Sequence, residues 1–97
     1  MEKSTEFELA AEVIKNAKSF GVDKIDDDTL LIIYGWFKVA TVGNNTTARP
    51  GMFDFKGKSK WDAWTKACTE TTDSEKAKTK YIDIVASIIP KDKWTKE

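Results

Sequence analysis

"DDDTLLIIYGWFKVATVG", residues 26–43, determines how this chain is organised. Three aspartates precede the apolar run and a glycine follows it, which is typical of the N-terminal cap and the C-terminal stop of an α-helix. The run is also rich in β-branched residues and is compatible with a strand, but its length and its two ends favour a helix. We therefore predict a helix from about Asp28 to Val42.

This predicted helix has two apolar faces. At helical spacing, one face carries Tyr34, Phe37, Lys38 and Thr41. The opposite face carries Ile32, Ile33, Trp36 and Ala40, of which Ile33, Trp36 and Ala40 are expected to face the core. An isolated ammonium among aromatic rings is costly, so Lys38 is expected to reach water or to bind an anion.

Three further amphipathic segments predict an all-α protein with four helices. They run from about Glu6 to Phe20, from about Ser59 to Cys68, and from the region of Thr72 to about Ile89, where Pro90 stops the last helix. Capping boxes begin the first and fourth helices, Thr5 with Glu8 and Thr72 with Glu75. Trp94 follows Pro90 in a charged tail and fits a core position poorly.

A long loop is predicted between the second and third helices. Residues 43–57, "GNNTTARPGMFDFKG", are rich in turn-forming residues. Loops of this length are uncommon inside compact domains and are often functional. We expect Phe53 and Phe55 to pin this loop to the body of the protein.

The length and composition predict a single domain over residues 1–97, with its core at about 5–90. Lys+Arg and Asp+Glu are both 16, and this zero net charge argues against nucleic-acid binding. No apolar segment approaches the roughly 20 residues that a bilayer span needs, and the N-terminus lacks a signal peptide. The single cysteine suits a reducing compartment, so a cytoplasmic location is expected.

The residue types argue against catalysis, metal ligation and a cofactor. Histidine is absent, so Cys68 has no partner for nucleophilic catalysis. The GKS at 57–59 lacks the spacing and the preceding strand of a phosphate-binding P-loop. The aspartates at 26–28 are better explained as a helix cap than as a metal site.

Residues 34–64, "YGWFKVATVGNNTTARPGMFDFKGKSKWDAW", resemble the signature region of the acyl-CoA-binding protein family. The family pattern is close to Y-x-x-Y-K-Q-A-T-x-G-x-x-x-x-x-R-P-G-x-x-D-x-x-G-K-x-K-W-x-A-W, and the similarity extends from about Phe7 to Ile89. It implies a four-helix bundle of up-down-down-up topology that binds long-chain fatty acyl-CoA. Such a protein is a monomeric intracellular carrier and pool former without catalytic activity, and it makes no stable membrane insertion.

The resemblance also implies which residues bind the ligand. Residues Tyr34, Lys38 and Lys60 match those that hold the ribose 3′-phosphate, and the adenine lies against the aromatic segment. The full predicted set is Lys15, Leu30, Leu31, Tyr34, Gly35, Trp36, Phe37, Lys38, Lys56, Lys60 and Tyr81. Phe37 departs from the family pattern, which has a tyrosine at this position, so its ring can stack but cannot donate a hydroxyl hydrogen bond.

Two alternative functions remain open at the level of sequence. A helical protein-interaction module would use the second apolar face of the predicted helix at 28–42 to bind a partner helix. An enzyme acting on CoA esters has little support, because the chain lacks a nucleophile–base pair.

Overall fold

A computed structural model describes residues 3–94, and among these residues it contains four α-helices and no β-strand. The helices are α1 (Lys3–Lys15), α2 (Asp27–Thr41), α3 (Phe55–Glu70) and α4 (Ser74–Ile88). Short 3₁₀ turns follow α1 at Ala17–Phe20 and α4 at Lys91–Lys93. The predicted all-α class is therefore confirmed.

Helices α2 and α3 run parallel to each other. Near the middle of α2, the Tyr34 ring lies 5.5 Å from the ammonium of Lys60, in the first half of α3. Just beyond the end of α2, the carbonyl of Gly43 accepts a hydrogen bond from the Trp64 indole, further along α3. Contacts therefore advance along both helices in the same direction.

Helix α4 runs antiparallel to α2. The Ser74 hydroxyl, at the start of α4, donates a hydrogen bond of 2.7 Å to the Ala40 carbonyl near the end of α2. One turn earlier in α2, the Phe37 ring packs against Tyr81 in the middle of α4, with ring centroids 6.0 Å apart.

Helix α1 is also antiparallel to α2, because its two ends contact opposite ends of that helix. Phe7, near the start of α1, stacks on Phe37 late in α2 at 5.8 Å. Lys15, the last residue of α1, lines the same surface hollow as Leu30 early in α2. These directions confirm the up-down-down-up arrangement.

The ends of α2 form as predicted. Asp26 accepts a hydrogen bond of 2.8 Å from the Thr29 N–H, and hydrogen bonding from Thr29 lowers the pKa of this carboxyl. At the other end, Gly43 has a φ of +98°, and its N–H bonds the Lys38 carbonyl. Glycine adopts this left-handed conformation without steric cost, which ends the helix.

The other helix starts differ from the sequence-based prediction. Helix α3 begins at Phe55 rather than Ser59, because Asp54 caps it by accepting the Gly57 N–H at 2.9 Å. The cap of α4 is Asp73 rather than Thr72. Thr5 lies inside α1, so it does not cap that helix.

The hydrophobic core contains residues from all four helices and from the C-terminal segment. Its buried members are Phe7, Ala10, Val13, Ile33, Trp36, Val39, Ala40, Trp64, Ala67, Ala77, Tyr81, Ile82, Val85, Ile89 and Trp94. The expectation for Trp94 was wrong, because this side chain is buried and its indole donates to the Ile89 carbonyl at 2.6 Å. Ile32, which helical spacing places on the same face as Ile33, is 52% exposed. Val39, which belongs to neither of the two predicted faces of α2, is fully buried.

The loop between α2 and α3 is not held by its phenylalanines. Phe53 and Phe55 are 86% and 70% exposed, so the prediction that they pin the loop was wrong. The loop is tied to α3 by polar side chains instead. The hydrogen bonds run from the Trp61 indole to Thr47 O, from the Trp64 indole to Gly43 O, from the Asn45 amide to the Thr65 hydroxyl and from the Arg49 guanidinium to Asp62.

A small residue in α2 sets the distance between α2 and α3. Gly35 is buried, and a Cβ added there would lie 2.5 Å from the Ala63 carbonyl oxygen in α3. Because the obstructing atom belongs to the backbone, it cannot move aside as a side chain can. Gly35 therefore permits a close approach that a larger residue would prevent.

We expect Gly35→Ala to lower the free energy of unfolding by about 1–3 kcal/mol, as overpacking does in other cores. Helix propensity alone predicts instead that Gly35→Ala raises the free energy of unfolding by about 1 kcal/mol. Gly51→Ala is the matched control, because no atom lies within 4 Å of a Cβ at that position. Urea denaturation measures both, and equal or greater stability of Gly35→Ala would contradict the close approach.

Candidate ligand-binding site

The first candidate region is a groove of about 560 Å³ between α2 and α3, the α2–α3 groove. Its lining residues are Asp27, Leu30, Leu31, Tyr34, Phe55, Lys56, Ser59 and Lys60. Five of the predicted ligand-binding residues are in this group. The groove combines an apolar surface from the leucines with cations on its α3 side.

The α3 side of this groove was only partly foreseen. Phe55, Lys56, Ser59 and Lys60 share one helical face at i, i+1, i+4 and i+5 spacing. Because the start of the helix was placed at Ser59, the contributions of Phe55 and Ser59 were missed. The signal was Asp54, a good N-cap residue two positions before Lys56.

Two cation–π pairs connect α2 with α3. The Lys60 ammonium lies 5.5 Å from the ring centroid of Tyr34, and the Lys38 ammonium lies 4.8 Å from that of Trp64. Tyr34 and Lys38 are four residues apart on α2, and Lys60 and Trp64 are four residues apart on α3. Parallel packing therefore pairs each lysine with the aromatic ring across from it.

The Trp64 ring is a partner of Lys38 that the sequence did not reveal. Only water or an anion was expected to satisfy this ammonium. An ammonium has three N–H donors and the single ring face does not occupy all of them, so Lys38 retains donors for an incoming anion.

The α3 lysines of the groove are available to an anion. Neither Lys56 nor Lys60 forms an ion pair with another residue in the described part of the chain. Both side chains are exposed. Asp27 is the acidic residue of the groove lining, so the local balance is positive although the chain is neutral. Ammonium groups of this kind make charge-assisted hydrogen bonds to phosphate.

A second groove of about 670 Å³, the α1–α2 groove, is bounded by α1, α2 and the first half of α4. Its lining includes two predicted residues, Lys15 and Phe37. Phe37 is 36% exposed and rests on Phe7 and Tyr81, whose rings meet edge to face at 4.9 Å. The three packed rings form an apolar cluster at the groove that Lys15 also lines.

A third hollow connects the two grooves. It measures about 360 Å³ and is lined by residues from the end of α1, the connection to α2 and the start of α2. It shares Leu30 with the α2–α3 groove and Lys15 with the α1–α2 groove. The three linings therefore adjoin at these residues and offer apolar side chains together with charged groups of both signs.

Four of the predicted residues lie outside these groove linings, namely Gly35, Trp36, Lys38 and Tyr81. Gly35 is buried against α3, and Trp36 is 5% exposed and lines a small hollow with Ile32. Lys38 lies over Trp64. Gly35 and Trp36 are thus placed to position α2 rather than to face the grooves.

Tyr81 lies beneath the aromatic cluster and is only 2% exposed. Burial raises the pKa of its phenol from 10.0 to about 12, because the phenolate would lose its hydration. Its hydroxyl therefore stays protonated at neutral pH.

No helix in the described part of the chain has the length and apolar character needed to cross a membrane. The architecture and the grooves are those of a small helical binding protein. The chain belongs to the acyl-CoA-binding protein family, whose model, described as "Acyl CoA binding protein", matches residues 4–85.

Relatives from animals and plants support this membership. The chain is 41% identical over 88 residues to the acyl-CoA-binding protein homolog of Drosophila melanogaster, covering 91% of this chain and 95% of the relative. It is 43% identical over 86 residues to acyl-CoA-binding protein homolog 1 of Caenorhabditis elegans, with 88% and 92% covered. The crystal structure of Oryza sativa acyl-CoA-binding protein 2 is similar, with a TM-score of 0.78 and 38% identity, over 89% of this chain and 87% of that one.

We expect the stability of this protein to fall between about pH 10 and 12 through Tyr81. Below this window the phenol is neutral in both the folded and the unfolded state. Within it only the unfolded state ionises, so unfolding is favoured, and the complete loss is about 2–3 kcal/mol.

Urea denaturation of the protein and of Tyr81→Phe measures this effect at about pH 9 and about pH 11. Both proteins carry the same lysines, so their difference isolates the phenol. Relative to the variant, the unsubstituted protein should lose about 1 kcal/mol between these pH values. A difference that does not change with pH would show that Tyr81 is not desolvated.

Proposed function

We propose that this protein binds long-chain fatty acyl-CoA esters and acts as an intracellular carrier and pool former for them, without catalysis. The observation that carries the proposal is the α2–α3 groove, where exposed lysines lie beside an apolar surface. An acyl-CoA ester has the same two properties, phosphates at one end and a hydrocarbon chain at the other. Membership of the acyl-CoA-binding protein family supports this choice of ligand.

The lysine and aromatic pairs between α2 and α3 are proposed to hold the ribose 3′-phosphate. Tyr34 and Lys60 are in contact, and Lys38 follows Tyr34 by one helical turn. Each charge-assisted hydrogen bond to phosphate contributes about 1.5–3 kcal/mol. The exposed part of the Tyr34 ring is available to the adenine.

The apolar surface is proposed to take the acyl chain. Leu30 is 44% exposed, and both Leu30 and Leu31 line the α2–α3 groove. Each methylene that leaves water stabilises the complex by about 0.8 kcal/mol before ordering costs. Affinity should therefore rise with chain length until the covered surface is filled.

Four further predicted residues extend the proposed contacts. Lys56 adds a cation to the α2–α3 groove. Lys15 adds one that lines both the α1–α2 groove and the third hollow. Phe37 and Tyr81 provide the aromatic support of the α1–α2 groove. Gly35 and Trp36 are proposed to contribute indirectly, by positioning α2.

The carrier is proposed to be a cytoplasmic monomer consisting of one domain over residues 1–97. Because it performs no chemistry, its effect is to lower the free concentration of an amphipathic ester. The alternative, a helical module that binds a partner protein, predicts no affinity for CoA or its esters.

Calorimetric titration with palmitoyl-CoA, CoA and palmitate tests the proposal. The ester should bind far more tightly than either fragment, because only the ester fills both the cationic and the apolar surfaces. Palmitate binding as tightly as the ester would contradict the assignment of the lysines, and failure of all three to bind would favour the protein-interaction module.

We expect Lys60→Ala to weaken binding of palmitoyl-CoA tenfold or more, since it removes a charge-assisted contact worth about 1.5–3 kcal/mol. Lys66→Ala is the matched control, because Lys66 is an exposed lysine of the same helix outside the α2–α3 groove. The same titration measures both variants. An equal effect of the two substitutions would point to general charge rather than to a phosphate site.

Phe37→Tyr should leave the affinity for palmitoyl-CoA equal or raise it. The substitution restores the family residue, and the Phe37 side chain is exposed enough for a hydroxyl to meet water or ligand. A clear loss of affinity would show that the α1–α2 groove of this protein has a different shape from that of the family.

A further inference from the structure

We propose that the start of α3 and the loop before it dock this protein reversibly onto the surface of an anionic lipid bilayer. The surface, called the docking patch below, consists of Met52, Phe53, Phe55 and Lys56. The proposal concerns peripheral contact, with apolar side chains entering the headgroup region and no part of the chain crossing the membrane. It does not depend on acyl-CoA binding.

The first observation is a concentration of exposed apolar side chains. Met52 is 72% exposed, Phe53 86% and Phe55 70%. These are the three most exposed of the large hydrophobic residues in the described part of the chain, and they lie within four consecutive positions. Single exposed apolar residues are ordinary, but a contiguous group of large ones is typical of an interaction surface.

The second observation is that hydrogen bonds hold the backbone of this segment. The Asp54 N–H bonds the Gly51 carbonyl at 3.0 Å, and the Asp54 carboxylate caps α3. The Lys58 ammonium donates to the Met52 carbonyl at 3.0 Å and lies 5.0 Å from the Phe55 ring. The apolar side chains are therefore presented to solvent by an ordered turn, so little ordering cost remains when they dock.

The third observation is the charge beside these side chains, which favours a bilayer over a protein partner. Lys56, Lys58 and Lys60 occupy alternate positions directly after Phe55, in a chain whose net charge is zero. Lys56 and Lys60 are exposed and form no ion pair with another described residue. Aromatic side chains beside lysines fit a membrane interface, where rings enter the headgroup region and ammonium groups meet anionic lipid.

The fourth observation is continuity with the α2–α3 groove. Phe55 and Lys56 belong to the docking patch and also line that groove. A docked molecule would hold one edge of the groove against the lipid surface. An amphipathic molecule that leaves the bilayer there would enter the groove without first exposing its hydrocarbon chain to water.

Co-sedimentation of the full chain with lipid vesicles, in the absence of acyl-CoA, tests docking. The vesicles contain phosphatidylcholine alone or with about a third phosphatidylserine. Binding should be at least fivefold stronger to the anionic vesicles and should fall as NaCl is raised, because salt screens exposed charges. No binding, or equal binding to both kinds of vesicle, would overturn the proposal.

The substitution Phe53→Ser tests the apolar part of the patch. Phe53 does not line the α2–α3 groove and is almost fully exposed, so its loss should not disturb folding. Binding to anionic vesicles should fall about tenfold, as expected when one aromatic side chain no longer enters the interface. Ile32→Ser is the matched control, since Ile32 is 52% exposed on α2 outside the patch, and it should bind like the unsubstituted protein. Equal binding by the two variants would overturn the proposal.

Calorimetry separates docking from ligand binding. Phe53→Ser should keep the affinity of the unsubstituted protein for palmitoyl-CoA in solution. If that affinity falls while vesicle binding is unchanged, the patch belongs to the ligand site and docking is refuted. If the protein docks but fails to bind palmitoyl-CoA, the proposed carrier function fails and docking stands.

Discussion

The close packing of α2 against α3 at Gly35 positions the lysines that we propose bind the phosphate of the ligand. A Cβ at this position would meet the Ala63 carbonyl oxygen, so the two backbones approach each other only because a hydrogen atom replaces the side chain. At that distance, parallel helices bring Lys60 over Tyr34 and Lys38 over Trp64. Within residues 3–94 neither ammonium has an acidic partner, so the aromatic rings contact each lysine while its positive charge stays available to an anion.

The tryptophan indoles connect irregular segments to the helical bundle. Trp61 and Trp64 donate hydrogen bonds to carbonyls of the loop that follows α2, and Trp94 donates to the carbonyl of Ile89. A large ring packs against its surroundings while its single N–H bonds a backbone oxygen. The abundance of tryptophan therefore has a structural explanation apart from ligand stacking, because these contacts fix the loop and the C-terminal segment.

The distribution of apolar residues reflects two separate demands. The core requires continuous burial, and side chains such as Val39 and Val85 are fully enclosed. The surface next to the α2–α3 groove instead retains exposed apolar side chains, with Phe53 the most exposed of them. The proposed ligand site and the proposed docking patch both use exposed apolar side chains, and the two adjoin at Phe55.

Local sequence by itself determined the four helices and the family. It also determined the ends of α2, because a cap such as Asp26 acts on a residue only three positions away. The order of residues 34–64 likewise pointed to Tyr34, Lys56 and Lys60 of the α2–α3 groove but not to Phe55 or Ser59. Only the tertiary structure decided that Lys38 pairs with Trp64, that Trp94 is buried and that Phe53 stays exposed. Each of these outcomes depends on which atoms of other segments lie opposite a side chain. Helical periodicity describes one segment at a time, so it carries no information about the neighbour across the interface.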